Sequence, residues 1–114
     1  MFEINNDLIL QFLKYLDVER NYSPETIRAY EVDLNQFKNS FNKKLNLKDV
    51  KGTDIQIFLQ EISKKKISAS TLARKLATLK SFYKYLYSLD LVSVNVAKTI
   101  RSPKLPKHLP AYLS

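Results

Sequence analysis

The sequence predicts an all-α domain built from four to five helices. In four successive segments, apolar residues recur at the i, i+3, i+4 and i+7 spacing of a core-facing helical stripe. Each of these segments also follows a residue that can cap a helix N-terminus. The chain has 114 residues, of which 45% are apolar and only one is glycine, so it is expected to form one globular domain and is unlike low-complexity, collagen-like or disordered chains.

Capping residues set the predicted starts of the first two helices. The first helix is expected to begin at Asn5 or Asn6, because either side chain can cap, and to run to about residue 19. Ser23 is a good N-cap for the second helix, and Pro24 fits the first helical position, where no N–H is needed. These two helices present their apolar stripes through Leu8, Ile9, Phe12, Leu13, Leu16, Ile27, Tyr30, Leu34, Phe37 and Phe41.

A connector over residues 42–52 separates the second helix from the third. Thr53 is the predicted cap of the third helix, which ends within the lysine run 64–66. Ser68 is the predicted cap of a long fourth helix that extends to Tyr87. The apolar residues assigned to the connector and the third helix are Leu45, Leu47, Val50, Ile55, Phe58, Leu59 and Ile62.

The fourth helix has two different faces. Its core stripe comprises Leu72, Leu76, Leu79, Tyr83 and Leu86. The opposite side and its flanks carry cations and small or hydroxyl-bearing residues but no acid: Arg74, Lys75, Ala77, Thr78, Lys80, Ser81, Lys84 and Tyr85. This pattern fits either an ordinary solvated helix face or a surface that contacts nucleic acid.

The last quarter of the chain changes character. Residues 92–100 are expected to form a short fifth helix. Three of the four prolines follow in residues 102–114 and enforce an extended strap. We therefore predict a helical domain over 1–101 and a linker over 102–114.

The net charge of +8 is concentrated in the second half of the chain. Residues 1–61 hold eight Lys/Arg against ten Asp/Glu, whereas residues 62–114 hold eleven Lys/Arg against Asp90 alone. A basic half of this kind on a folded helix is typical of a protein with a polyanionic partner. Membrane binding is disfavoured, since no segment has the roughly 20 apolar residues of a span and no lipidation signal occurs. A cytoplasmic location is expected.

Residues for catalysis and for metal or nucleotide binding are scarce. The chain has no cysteine, and His108, the sole histidine, lies in the strap, so a catalytic triad or a metal site has little to draw on. A single glycine cannot form a glycine-rich phosphate loop. We expect no metal, no cofactor and no catalysis by this chain alone.

Several short motifs follow one another in a fixed order along almost the whole chain. They are the run 23–30 with Asp33, Leu34 and Phe37, the pairs Asp54-Ile55 and Phe58-Leu59, the helix 68–86, Asn95 with Ala97, and the proline-containing ending 102–114. In order and spacing they resemble the N-terminal, SAM-like core-binding domain of tyrosine recombinases and phage integrases, particularly of the Xer type. Two positions depart from the family pattern, which usually has glycine near Asp90 and proline at Val96. The turn after the fourth helix is therefore expected to be less sharply fixed.

The resemblance implies an orthogonal bundle of four to five helices that grips one side of double-stranded DNA. In that family a separate C-terminal domain carries the catalytic residues, so this chain would bind DNA without cutting it. Other recombinase subunits would be partners in a synaptic complex, while the isolated fragment would be monomeric. The second and fourth helices would approach the major groove, and the strap would follow the DNA backbone. The residues expected to contact DNA are Thr26, Arg28, Arg74, Lys75, Thr78, Lys80, Ser81, Lys84, Tyr85, Lys104 and Lys107.

Two other functions are compatible with a basic helical bundle. One is a protein-interaction module that binds an acidic partner, which is disfavoured because the sequence shows no obvious exposed apolar patch. The other is a helix-turn-helix regulator, which is disfavoured because no short recognition helix follows a tight glycine turn.

Overall fold

A computed structural model describes residues 3–41 and 45–103, and it describes residue 3 by its backbone only. It contains four α-helices, and within these residues there is no β-strand. The helices are α1 (Glu3–Val18), α2 (Pro24–Asn39), α3 (Gly52–Ser63) and α4 (Ala69–Ser88), with a single 3₁₀ turn (Leu47–Asp49) in the connector before α3. The prediction of an all-α bundle is confirmed. None of these helices combines the length and the apolarity that crossing a membrane requires.

The predicted fifth helix is wrong. Residues 92–100 form bends and two overlapping turns, one closed by a hydrogen bond from Lys98 N–H to the Asn95 carbonyl and the other by a hydrogen bond from Ile100 N–H to the Ala97 carbonyl. The Asn95 side chain also accepts a hydrogen bond from Ala97 N–H at 3.2 Å. Such side-chain contacts compete with helical backbone bonds, and the many β-branched residues of this segment also disfavour a helix.

Two of the four predicted caps are confirmed. Ser23 Oγ accepts from Thr26 N–H at 3.2 Å, and Ser68 Oγ accepts from Thr71 N–H at 3.1 Å. Thr53 does not cap α3, because that helix begins at Gly52 and Lys51 takes the cap position. The first turn of α3 is closed instead by Asp54 Oδ2, which accepts from Lys51 N–H at 2.9 Å.

Neither Asn5 nor Asn6 is a cap, because α1 already begins at Glu3. The buried amide of Asn5 holds the connector: Nδ2 donates to the Leu45 carbonyl at 2.7 Å, and Oδ1 accepts from Leu47 N–H at 2.8 Å. The Tyr83 hydroxyl donates to the Leu47 carbonyl at 2.7 Å from α4. Burial, followed by the charge of Asp54, raises the pKa of Tyr83 well above its usual range, so the phenol stays a neutral donor. The connector is thus fixed from two sides.

The core lies around α4, which packs against all three other helices. Phe12 of α1 meets Phe82 edge to face at 5.5 Å between ring centroids, and Phe37 of α2 meets Phe58 of α3 in the same way at 5.0 Å. Phe82 is fully buried although the predicted stripe omitted it. A helix that is contacted from several directions buries a wider arc than the single stripe expected for a surface helix. This wide arc decides which side chains of α4 remain available to a partner.

The C-terminus of α4 is closed by a Schellman motif. Leu91 N–H donates to the Leu86 carbonyl at 2.9 Å, and Asp90 N–H donates to the Tyr87 carbonyl at 3.0 Å. Asp90 takes the left-handed conformation, with φ of 60°, where glycine is usual. The turn therefore forms with an acid in the position at which the resembling family has glycine.

Asp90→Gly is expected to stabilise the domain by about 0.5–1 kcal/mol. The change removes both a strained left-handed side chain and a negative charge from the negative end of the helix dipole. Thermal unfolding should show a Tm higher by a few degrees. Asp90→Asn, which removes only the charge, should give a smaller gain, and a lower Tm for the glycine variant would contradict this account of the turn.

Candidate nucleic-acid interface

A buried carboxylate joins α2 to α4. Asp33 of α2 has a side chain that is only 2% exposed. Arg74 donates to it twice, from Nε to Oδ2 at 3.1 Å and from Nη2 to Oδ1 at 2.8 Å. Lys75 Nζ donates to Oδ1 at 2.9 Å, and the Thr78 hydroxyl donates to Oδ2 at 3.0 Å. Two cations and one hydroxyl of α4 therefore converge on a single acid.

These hydrogen bonds decide the charge state of Asp33. Burial alone would raise its pKa, but the hydrogen bonds from Arg74, Lys75 and Thr78, with the charge of Lys75, outweigh that effect and hold the pKa below its usual 3.8. The hydrogen bonds to the Asp33 carboxylate in turn raise the pKa of the Arg74 guanidinium. The Asp33 carboxylate is thus ionised at neutral pH, and the three charged side chains together carry one net positive charge.

The network corrects the predicted outer face of α4. Thr78 and Lys75 are buried and point toward α2, so they do not belong to an exposed surface. Arg74 differs from them, since half of its side chain remains exposed. The sequence held one overlooked signal: Asp33 lies three residues after Tyr30 and four before Phe37, which places an acid on the apolar stripe of α2. A buried acid requires cationic partners, and α4 supplies them.

A basic groove lies farther along α4. It has a volume of about 870 Å³, and the C-terminal half of α4 forms one wall while the turns of residues 93–99 form the other. Three lysines line it, Lys80 and Lys84 from the helix and Lys98 from the turn, and none of its nine lining residues is acidic. Ser81 and Asn95 add polar groups between the cations. Lysines that surround a groove without an opposing acid create a positive potential that suits an anionic ligand.

The sequence predicted no groove, but it placed three of the groove's residues on one face of α4. Lys80, Ser81 and Lys84 were expected on the contact face, and all three line the groove. Lys98 was not predicted, because the sequence does not show that residues 93–99 lie beside α4 and form the second side of the groove. Its basic character within the acid-poor second half of the chain was the available signal.

Tyr85 lies away from the groove, against α1. Its ring packs on Tyr15 at 4.8 Å and on Phe12 at 5.4 Å between centroids, and its hydroxyl donates to the Gln11 carbonyl at 3.4 Å. Burial raises the pKa of this phenol. The geometry assigns Tyr85 to the contact between α1 and α4.

The remaining predicted contact residues fall into two groups. Thr26 and Arg28 are exposed near the start of α2, where the Thr26 hydroxyl accepts from Ser23 Oγ at 3.0 Å. Lys104 and Lys107 lie outside the residues that the structure describes. Within residues 3–41 and 45–103, no group of three or more acidic or histidine side chains is placed to hold a metal ion.

Fold and site together define an all-helical domain with a basic face on its longest helix. Residues 9–89 match the family model of the phage integrase N-terminal SAM-like domain. The chain therefore belongs to this family, as the sequence motifs predicted.

Curated relatives carry the comparison across most of the chain. Tyrosine recombinase XerC of Lacticaseibacillus casei is 37% identical over 108 residues, which cover 91% of this chain and 36% of that protein. The XerC proteins of Rickettsia typhi and Myxococcus xanthus are 39% and 40% identical, over 95% and 93% of this chain. The chain spans little more than a third of the length of these relatives. No solved structure gives a significant match.

Proposed function

We propose that this chain binds double-stranded DNA as the core-binding domain of a site-specific tyrosine recombinase. The observation that carries the proposal is the acid-free groove formed by Lys80, Lys84 and Lys98. A phosphate backbone carries regularly spaced negative charges, and lysines that border a groove can neutralise several of them at once. Arg74, half exposed on the same helix, supplies a planar donor that lysine cannot.

The similarity to the XerC proteins supports this choice of polyanion, since their name describes recombinases. In the proposed arrangement residues 1–101 grip one side of the duplex, and residues 102–114 lead toward a catalytic domain. Thr26 and Arg28 add contacts from the start of α2, and Lys104 and Lys107 follow the backbone along the linker. The domain holds DNA but does not cut it. Its partners are the duplex and other recombinase subunits, and its place of action is the cytoplasm.

The salt dependence of duplex binding tests this proposal. Phosphate contacts from Arg74 and the three groove lysines should alone make log K fall with log salt at a slope of roughly −3 to −4. Contacts from Arg28, Lys104 and Lys107 should make that slope steeper. Fluorescence anisotropy with a labelled duplex, repeated between low and moderate salt, gives this slope. An acidic protein serves as the competing ligand. A flat salt response, or tighter binding to the acidic protein than to the duplex, would overturn the proposal.

A further inference from the structure

Arg74 is held in a defined orientation on the surface of α4. Its bonds to Asp33 use Nε and one hydrogen of Nη2. A guanidinium has five N–H donors in one plane, so three remain, two on Nη1 and one on Nη2. Half of the side chain is exposed, and the Nε edge of the guanidinium is the one held by the buried carboxylate, which leaves the opposite edge as the one that can reach a ligand.

The anchor itself adds little negative charge to the surface. The Asp33 carboxylate is buried, and Lys75, whose side chain is only 11% exposed, lies 2.9 Å from it. These two opposite charges compensate one another below the surface. The Thr78 hydroxyl lies 3.0 Å from Asp33 Oδ2 and donates its single proton to the carboxylate, which connects Asp33 to a third side chain of α4. What the partner meets is the positive charge of Arg74.

We propose that Asp33 is a positioning residue that aims the free guanidinium edge of Arg74 at a backbone phosphate of the duplex. This inference rests on the proposed function. A free arginine side chain loses many rotamers when it binds a phosphate, and an arginine already fixed by a buried carboxylate loses fewer. Two oxygens of one phosphate also match the planar edge of a guanidinium, which makes its orientation important.

Asp33→Asn separates this role from simple electrostatics, because the two accounts predict opposite signs. Removal of a negative charge near a DNA-binding face should tighten binding if charge alone matters. If Asp33 positions Arg74, the affinity of the folded variant should instead fall about fivefold, the equivalent of losing one pre-ordered side chain. Asp49→Asn is the matched control, since it removes an exposed acid and should leave affinity equal or slightly higher. Affinity of Asp33→Asn equal to or above that of the unaltered domain would overturn the proposal.

A double-mutant cycle excludes a merely structural effect. In an Arg74→Ala background, Asp33→Asn should cause no further loss of affinity, because the residue through which it acts is gone. A similar loss in both backgrounds would show that Asp33 only maintains the fold, and would overturn the proposal. Circular dichroism at the assay temperature confirms that each variant is folded.

Arg74→Lys gives a second route that leaves the Asp33 carboxylate and its bonds to Lys75 and Thr78 in place. The variant keeps the charge but loses the planar fork, so affinity should again fall about fivefold, and an unchanged affinity would overturn the proposal. The unaltered domain separates this inference from the proposed function. If it binds the duplex with the expected salt slope while Asp33→Asn binds as tightly, only the positioning role fails. If it does not bind the duplex, both fail together.

Discussion

Asp33→Ala is expected to destabilise the domain by about 3 kcal/mol at neutral pH. The substitution leaves the ammonium group of Lys75 buried without its partner, and a broken buried ion pair typically has a cost of this size. The Thr78 hydroxyl loses one of two acceptors and can still donate to the Arg74 carbonyl. Arg74 can turn to water and contributes less. Urea unfolding followed by circular dichroism measures the loss, and Asp49→Ala, at an exposed acid, should change the free energy of unfolding little.

The loss of stability caused by Asp33→Ala should depend on pH. The pKa of Asp33 is lower in the folded domain than its usual 3.8. Its contribution to stability is therefore fully present above about pH 4 and is lost as the pH falls through the lower, folded-state pKa. The difference in unfolding free energy between the unaltered domain and Asp33→Ala should shrink on acidification below pH 4. A difference that stays constant down to the lowest measurable pH would contradict the ion-pair account.

Removal of the three groove lysines is expected to have the largest effect on DNA binding. Replacement of Lys80, Lys84 and Lys98 together by glutamine should lower duplex affinity about 10²-fold near 0.1 M salt, and should reduce the magnitude of the salt slope by roughly 2.7, because three phosphate contacts are lost. Fluorescence anisotropy across a salt series measures both quantities. The fold should persist, since none of the three side chains is fully buried.

A charge-matched control distinguishes the groove from net charge. Lys14, Lys48 and Lys51 are exposed, belong to α1 or the connector, and do not line the groove. Their joint replacement by glutamine removes the same total charge and should weaken binding far less, with a nearly unchanged slope. Equal losses in the two triple variants would show that binding depends on overall charge and not on this groove.

Local signals explain why much of the fold could be predicted from the sequence. Ser23 and Ser68 each accept a hydrogen bond from a backbone N–H three residues away. Because this interaction is local, the sequence is sufficient to predict where α2 and α4 begin. Asn5 gives the opposite case, because it has the chemistry of a cap but binds Leu47, 42 residues along the chain. No local pattern distinguishes these two uses of an asparagine side chain. The motif order identified the family despite such local errors.

The candidate site was harder to predict for the same reason. A helical wheel places Thr78 and Lys75 by their angle on α4, yet the approach of α2 brings a buried acid to that side. Whether a cation faces water or a neighbouring helix is decided by contacts over more than 40 residues of sequence. Lys80 and Lys84 do line the open groove, as their angle on the helix suggested, and their contact with DNA stays a prediction.

The turn that carries Lys98 gives the groove a wall with little conformational freedom, even though it is not helical. Ala97 and Ile100, on either side of this lysine, are both buried in the core, and the Val96 carbonyl lies 3.4 Å from the position that a Cβ on Gly52 would occupy. The backbone beside Lys98 is thus fixed before any ligand arrives. Ordering a loop on association costs entropy, and here that cost is met during folding. The groove can therefore receive a stiff partner without first having to assemble its second side.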